Sequence, residues 1–316
     1  MSEKPFFSIC IPAYKNAVHL TRLLKSLEVQ TFKDYEVVIS DDSPDEEVLQ
    51  ALRAFGHLQI KYYKNEPALG TPENWNRSMN LAQGTWLKLM HNDDWFVHEQ
   101  VLQTFAAAIQ QHPDYRFFFA AFQNVEEETG KIERVKINGL GMLLLRWSPL
   151  VLFRKVYVGN PSCTLIHHSI SARYDKRFKF VVDFEYYIRL MKGQVLWKYI
   201  DDILISVGFH KEQVTQYTKY NPAVQIPENH QLLRDLGAPI LKNLFVFDYY
   251  WRLYRNLGIR SVAQLAAYDK QPIPIPLDKI VLFQSRFTLP LLRVGIVSKT
   301  LMLSFYLLRV LPKRLI

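Results

Sequence analysis

The chain has 316 residues, with 39 Lys and Arg against 30 Asp and Glu, 49% hydrophobic residues, 14% aromatics and 12 glycines. That composition excludes disordered and fibrous architectures, and the length suffices to bury about three quarters of the unfolded surface in one large domain or a domain with an appended module. The net charge of +9 is local: from Lys279 to Ile316 there are seven basic residues and no acid, which leaves 32 against 30 elsewhere and argues against a nucleic-acid binder.

Met1-Ser2-Glu3-Lys4-Pro5 lacks the basic region and apolar core of a signal peptide, and the two cysteines, Cys10 and Cys163, have neither disulfide nor metal spacing; both point to a reducing cytosol. Residues 7–12 read as a buried strand. A helix over 18–29 follows, with Leu20, Leu23, Leu24 and Leu27 on one face. Residues 35–40 form a second strand, which runs into the turn and capping cluster Asp41-Asp42-Ser43-Pro44-Asp45 before a helix over 46–55. A strand over 60–63, a helix over 74–82 closed by Gly84 and a strand over 86–90 complete the series. The alternation predicts an α/β fold, a parallel sheet with helices on both faces.

In such sheets the ligand site lies beyond the carboxyl ends of the strands. Acids gather there: Asp41 and Asp42 after the second strand, Asp93 and Asp94 after the fourth, and Asp183 and Glu185 at the start of a helix over 182–191. Adjacent carboxylates at a strand end suit Mg²⁺ or Mn²⁺ holding a diphosphate, and the same residues also serve as ordinary helix caps and turn formers. No Gly-x-Gly-x-x-Gly follows the first strand, and there is no Gly-Lys-Ser/Thr loop, Gly-x-Ser-x-Gly elbow or His-Glu-x-x-His helix. Phosphate binding therefore falls to metal and side chains.

The order of the motifs is more specific than any one of them. Phe7-Ser8-Ile9-Cys10-Ile11-Pro12-Ala13-Tyr14, the run from Leu27 to Ser43, Asn74-Trp75-Asn76-Arg77, Ala82-Gln83-Gly84, Asn92-Asp93-Asp94, Tyr174-Asp175, the run from Asp183 to Arg189 and the run from His210 to Thr215 succeed one another along residues 6 to 216. In this order they resemble the family 2 glycosyltransferases of GT-A fold, which have a Rossmann-like, mostly parallel sheet and are inverting and nucleotide-sugar-dependent. The resemblance implies that Pro12, Ala13 and Tyr14 line the nucleobase pocket, that Asp41 or Asp42 binds uracil or ribose, and that Asp93 and Asp94 are the metal motif, with Asp94 the more direct ligand. It further implies that Asp183 is the catalytic base, that His210 closes over metal or diphosphate, and that Arg77 substitutes for a phosphate-contacting Arg at the place of Trp75. His91 stands where many relatives have an acid, and Val182 where many have Glu.

A base on the acceptor hydroxyl and a cation on the leaving phosphates suffice for one in-line displacement, so inversion is expected. The domain organisation expected is a GT-A catalytic domain over 4–216, a helical extension and Pro-rich spacer over 217–276, and a basic amphipathic helical tail over 277–316. On a helical wheel Arg293, Lys299, Arg309 and Lys313 face away from Val294, Val297, Leu301, Phe305, Leu308 and Leu311. That pattern fits an in-plane helix on an anionic membrane surface, and equally a helix packed on its own domain. The expectation is a cytoplasmic enzyme, peripheral on the inner face of the cell membrane, using Mg²⁺ or Mn²⁺ to move sugar from a nucleotide-sugar donor, UDP-sugar first. The acceptor expected is a glycan or a polyprenyl-diphosphate-linked glycan in surface polysaccharide assembly, with no nucleic acid as partner. The alternative is a catalytically silent nucleotide- or glycan-binding module on the same fold.

Overall fold

The computed structural model describes residues 4–210 and 218–311. The first strand, β1 (Phe7–Ala13), is buried along its whole length, and helix α1 (Ala17–Glu28) covers it with the four leucines that the periodicity marks. Then come β2 (Tyr35–Asp41), α2 (Glu47–Leu52), β3 (Ile60–Lys64), α3 (Glu73–Leu81), β4 (Trp86–Leu89), β5 (Trp95–Phe96), α4 (Val101–Gln111), β6 (Phe117–Glu126), β7 (Ile132–Val135), α5 (Gly139–Trp147), β8 (Thr164–His167), α6 (Val182–Lys192) and β9 (Trp197–Phe209). The expected elements as far as β4 and the expected helix at 182 all form, to within two residues apart from the end of α2, which passes into a 3-10 turn at Arg53–Phe55.

These strands make one sheet in the order β3-β2-β1-β4-β8-β6-β9-β5, with β7 on β6. β3, β2, β1 and β4 are parallel, as are β6 and β9; β8 lies antiparallel between β4 and β6, and β5 antiparallel on β9. The β6–β9 ladder slips register around Ala120 and Ala121, a bulge that sets Gly208 opposite Val125 and Phe209 opposite Glu126. One face of this sheet packs under α1 and α4, with Leu20, Leu24 and Val101 against Ile9, Val37 and Phe118, and the alternate strand residues Cys10, Val38, Phe117 and Phe119 are buried on the other face.

Contacts divide the described residues into two compact units, one of 4–142, 157–176 and 182–210, the other of 143–156, 177–181 and 218–311. The second unit thus takes two segments from inside the span assigned by sequence to the catalytic domain. Glu228, on α7 (Pro222–Leu236), holds one of them by accepting from the amides of Lys179, Phe180 and Val181. At the centre of this unit is α8 (Leu244–Asn256), which buries Phe247, Tyr250, Trp251 and Tyr254. Around it stand α9 (Val262–Tyr268), α10 (Leu277–Gln284), α11 (Leu289–Arg293) and α12 (Gly295–Arg309).

The tail helix α12 packs on α8: Trp251 Nε1 donates to Ser298 Oγ at 3.0 Å, Lys299 pairs with Asp248 at 2.8 Å, and Phe305 stacks on Phe247. Phe305 therefore faces the protein, whereas the wheel places it on the membrane side. Ile296, Leu307 and Leu308 remain 82%, 60% and 71% exposed. Lys313 lies outside the described residues. No helix among those described is long and apolar enough to cross a membrane.

Candidate active site

The carboxyl ends of β1, β2 and β4 open at one edge of the parallel half of the sheet. After β1 the chain leaves through Lys15 and Asn16, both in the left-handed region at φ 54° and 60°. Two such residues in succession are costly for an L side chain, although Asn tolerates the conformation. Ser43 Oγ holds the turn by accepting from the Lys15 amide at 2.6 Å. Pro12 and Ala13 are buried, and Tyr14 projects, 56% exposed.

Asp41 and Asp42 both turn inward. The carboxylate of Asp41 accepts from the Ser43 amide, from Tyr62 Oη at 2.7 Å and from Lys64 Nζ at 3.2 Å. That of Asp42 accepts from Asn65 Nδ2 at 2.7 Å and from the amides of Leu69 at 3.0 Å and Gly70 at 2.7 Å. The pair expected to bind base or ribose is thus engaged in shaping β2, β3 and the loop that leads to α3.

After β4 the acids meet a histidine. His91, Asp93 and Asp94 each offer one donor atom, all within 4.8 Å of one another. Asp94 is buried, with Oδ2 accepting from Asn160 Nδ2 at 2.7 Å and Oδ1 from the Gly208 amide at 3.1 Å. Burial, with the charge of Asp93 second, pushes its carboxyl up to about 8, and hydrogen bonding from Ser162, Asn160 and Gly208 acts against the rise. His91 Nδ1 lies 3.8 Å from Asp94 Oδ2, and its Nε2 is buried with no hydrogen-bond partner. Burial holds the His91 imidazole below its ordinary value, and thus neutral. His210, at the end of β9, reaches Asp93 Oδ2 at 3.2 Å; residues 211–215 of the resembling run lie outside the described residues.

A surrounding layer fixes this cluster. Arg22, on α1, donates to the Asp93 carbonyl and to Glu127, each at 2.7 Å, and lies over the ring of Trp95. Glu127 also takes His19, whose ring packs on His210. Below, the fully buried Lys88 donates to the Ser162 carbonyl, and Ser162 Oγ accepts from the His91 amide at 2.9 Å. Burial lowers the Lys88 ammonium to about 7. Gly208 has to be glycine, since a Cβ there would stand 2.5 Å from the Asp93 carbonyl oxygen.

An aromatic run leads from the cluster towards the expected base. His91 packs on Trp75 at 4.6 Å, Trp75 meets Tyr174 edge-on, and Tyr174 packs at 4.2 Å on Tyr186 of α6. Asp183 stands in the first turn of that helix, and burial pushes its carboxyl up to about 6, against hydrogen bonds from the backbone amides of Phe184 and Asp183 itself. Arg77 lines an open cavity of about 440 Å³ together with Glu73, Asn76, Asn80, Lys176 and Tyr174, the last shared with the aromatic run.

The linear sequence points to Asp93, Asp94 and Asp183 but not to Asn160, Ser162, Arg22, Glu127 or Gly208. No local pattern marks these, since their partners lie up to 114 residues away.

Residues 8–177 match the family described as Glycosyl transferase family 2. The chain belongs to that family. An uncharacterized glycosyltransferase of Haemophilus influenzae is 28% identical over 159 residues, 44% of this chain and 52% of that protein. Stretches matched in the curated relatives span about half of their own length or less. Among solved structures, residues 1–349 of Staphylococcus aureus TarS in complex with UDP-GlcNAc superpose with a TM-score of 0.63 at 18% identity, over 95% of this chain and 91% of that one. The mannosyltransferase PcManGT of Pyrobaculum calidifontis, in complex with GDP-Man and Mn²⁺, gives 0.58 at 11% identity over 97% and 86%. Such likeness establishes the GT-A fold of this family 2 chain.

Proposed function

We propose that this protein is an inverting, metal-dependent glycosyltransferase that moves a sugar, a hexose or its derivative, from a nucleoside-diphosphate sugar to a hydroxyl of a glycan or lipid-linked acceptor. The observation that carries the reading is the joint placement of a His-Asp-Asp donor cluster at the end of β4 and a desolvated Asp183 at the start of α6, linked by the aromatic run through Trp75 and Tyr174. The donor set fits a divalent cation: two carboxylates and an imidazole with neither ring nitrogen in a hydrogen bond, their donor atoms within 4.8 Å of one another. His91, Asp93 and Asp94, with His210 beside Asp93, would hold Mg²⁺ or Mn²⁺, which would supply charge neutralisation for the leaving diphosphate.

The remaining work belongs to side chains. Asp183 takes the proton of the acceptor hydroxyl as its oxygen bonds to the anomeric carbon and the nucleoside diphosphate departs from the opposite face. One displacement inverts that carbon. A carboxyl near 6 is ionised at neutral pH and basic enough to assist. Tyr14 offers an exposed ring for the nucleobase beside Pro12 and Ala13, and Asp41 and Asp42 shape that pocket from behind. UDP-sugar is the donor we favour, with the acceptor a polyprenyl-diphosphate-linked glycan presented at the cytoplasmic face of a membrane. The support for the membrane is the exposed aliphatic side of α12 beside Arg293 and Arg309.

His91 and Val182, standing where many relatives have acids, and Trp75, standing where many have Arg, favour one other reading, a module on the same fold that binds nucleotide or glycan without turnover. The deciding experiment incubates the protein with UDP-, GDP- and dTDP-sugars and Mn²⁺ and follows nucleoside diphosphate release, with product configuration read by NMR. Release accompanied by a β-linked product from an α-linked donor supports the transferase. Nucleotide binding without release, with acceptors ranging from free glycans to polyprenyl-diphosphate glycans, supports the module, and absence of nucleotide binding removes both.

A further inference from the structure

We propose that His91 is a nitrogen donor to the metal, so that this cluster is a mixed imidazole–carboxylate site that takes Mn²⁺ in preference to Mg²⁺. The inference rests on the reading of the cluster as a metal site and adds to it the identity of a ligand and of the ion. In the resembling family an acid commonly stands at this position, so an imidazole changes the chemistry of the site.

Three observations converge on His91. Its Nδ1 is 3.8 Å from Asp94 Oδ2, too far for a hydrogen bond, yet two donors each about 2.1 Å from one ion stand about 3–4 Å apart. Its Nε2 is buried with no partner, so neither ring nitrogen is committed to a hydrogen bond. Its ring is also held in place, by the Ser162 hydroxyl on its amide and by Trp75 against its face. Asp94 is braced in the same way by Asn160, Ser162 and Gly208, and the four lone-pair sites of a carboxylate leave room for another partner.

The choice of ion follows from the donor atoms. Mg²⁺ takes oxygen ligands almost exclusively and gives up its waters reluctantly, whereas imidazole suits the transition metals. Exchanging one oxygen donor for nitrogen therefore costs Mg²⁺ more than Mn²⁺.

The test is pulsed EPR of Mn²⁺ added to the full-length protein with UDP, on the wild type, His91→Asn and His210→Asn, together with displacement of the Mn²⁺ signal by Mg²⁺. The expected result is nuclear modulation from an imidazole nitrogen in the wild type, retained in His210→Asn and lost in His91→Asn. The Mg²⁺ concentration that displaces half of the Mn²⁺ should fall about tenfold in His91→Asn. Isotopically labelled histidine in the wild type shifts the modulation frequency if the nitrogen belongs to histidine, which keeps the test sharp even where His91→Asn folds poorly. Mn²⁺ bound without nitrogen modulation, or modulation unchanged in a folded His91→Asn protein, overturns the assignment and leaves the metal reading standing. Failure of the wild type to bind Mn²⁺ with any nucleotide overturns both.

Discussion

Asp183 carries the clearest consequence of a single side chain. Its carboxyl, ordinarily near 3.8, sits at about 6, so the folded protein holds that proton more tightly than the unfolded chain does. The sign follows: stability is gained as pH falls from about 6 towards 4, and above 6 the ionised group is a standing cost. Asp183→Asn should therefore melt no lower than the wild type at neutral pH while losing roughly 10²–10⁴-fold in turnover, with nucleotide affinity unchanged by calorimetry. In the wild type at saturating metal, where Asp94 is held ionised, kcat/KM should drop about tenfold per pH unit below about 6 and level off above it, as one ionising base requires. Asp42 behaves in the opposite way. Its truncation to Ala strands the amides of Leu69 and Gly70 and the Asn65 side chain, so Asp42→Ala should cost about 3 kcal/mol by denaturant titration. A loss of nucleotide affinity without that loss of stability would return Asp42 to the direct binding role that the sequence suggests.

Elements differ in how far they can be read from the chain. The strands and helices from β1 to β4 declare themselves through short apolar runs and the leucine stripe of α1, because each is a local pattern. β8 and β5 escape such reading: they are four and two residues long and exist through antiparallel partners far along the chain. Asp93 and Asp94, proposed to hold metal, are legible as a strand-end pair, whereas the brace around them is not, since Arg22, Ser162 and Gly208 come from three separate elements or turns. α12 shows periodicity at its limit. The wheel marks an apolar face without saying what covers it, and the structure divides that face between α8 and solvent. Phe305→Ala, which removes a ring packed on Phe247 and Phe283, should cost about 3 kcal/mol, while Leu307→Ser should stay within about 0.5 kcal/mol of the wild type.

For the whole molecule, these two faces let stability be tested apart from the proposed membrane contact. Removal of residues 272–316 would strip Ile280, Val281 and Met302 from a packed core and expose Trp251, so truncation is a poor test of membrane binding. Ile296→Ser with Leu307→Ser and Leu308→Ser leaves that core intact. The triple variant should lose sedimentation with vesicles rich in anionic lipid while its melting temperature holds. Equal sedimentation of variant and wild type would assign the exposed aliphatic side to some other partner.

The contact between the Gly208 amide and the Asp94 carboxylate offers a built-in reporter. An amide proton donated to a carboxylate is deshielded according to the charge on that oxygen, so a cation shared by Asp94 withdraws density from the bond and moves the resonance upfield. Gly208 lies on the sheet, and no contact with nucleotide or sugar is proposed for it. Its NMR line should therefore shift when a diamagnetic divalent ion such as Mg²⁺ is titrated and stay still with nucleotide alone, which would let metal occupancy be followed apart from donor binding.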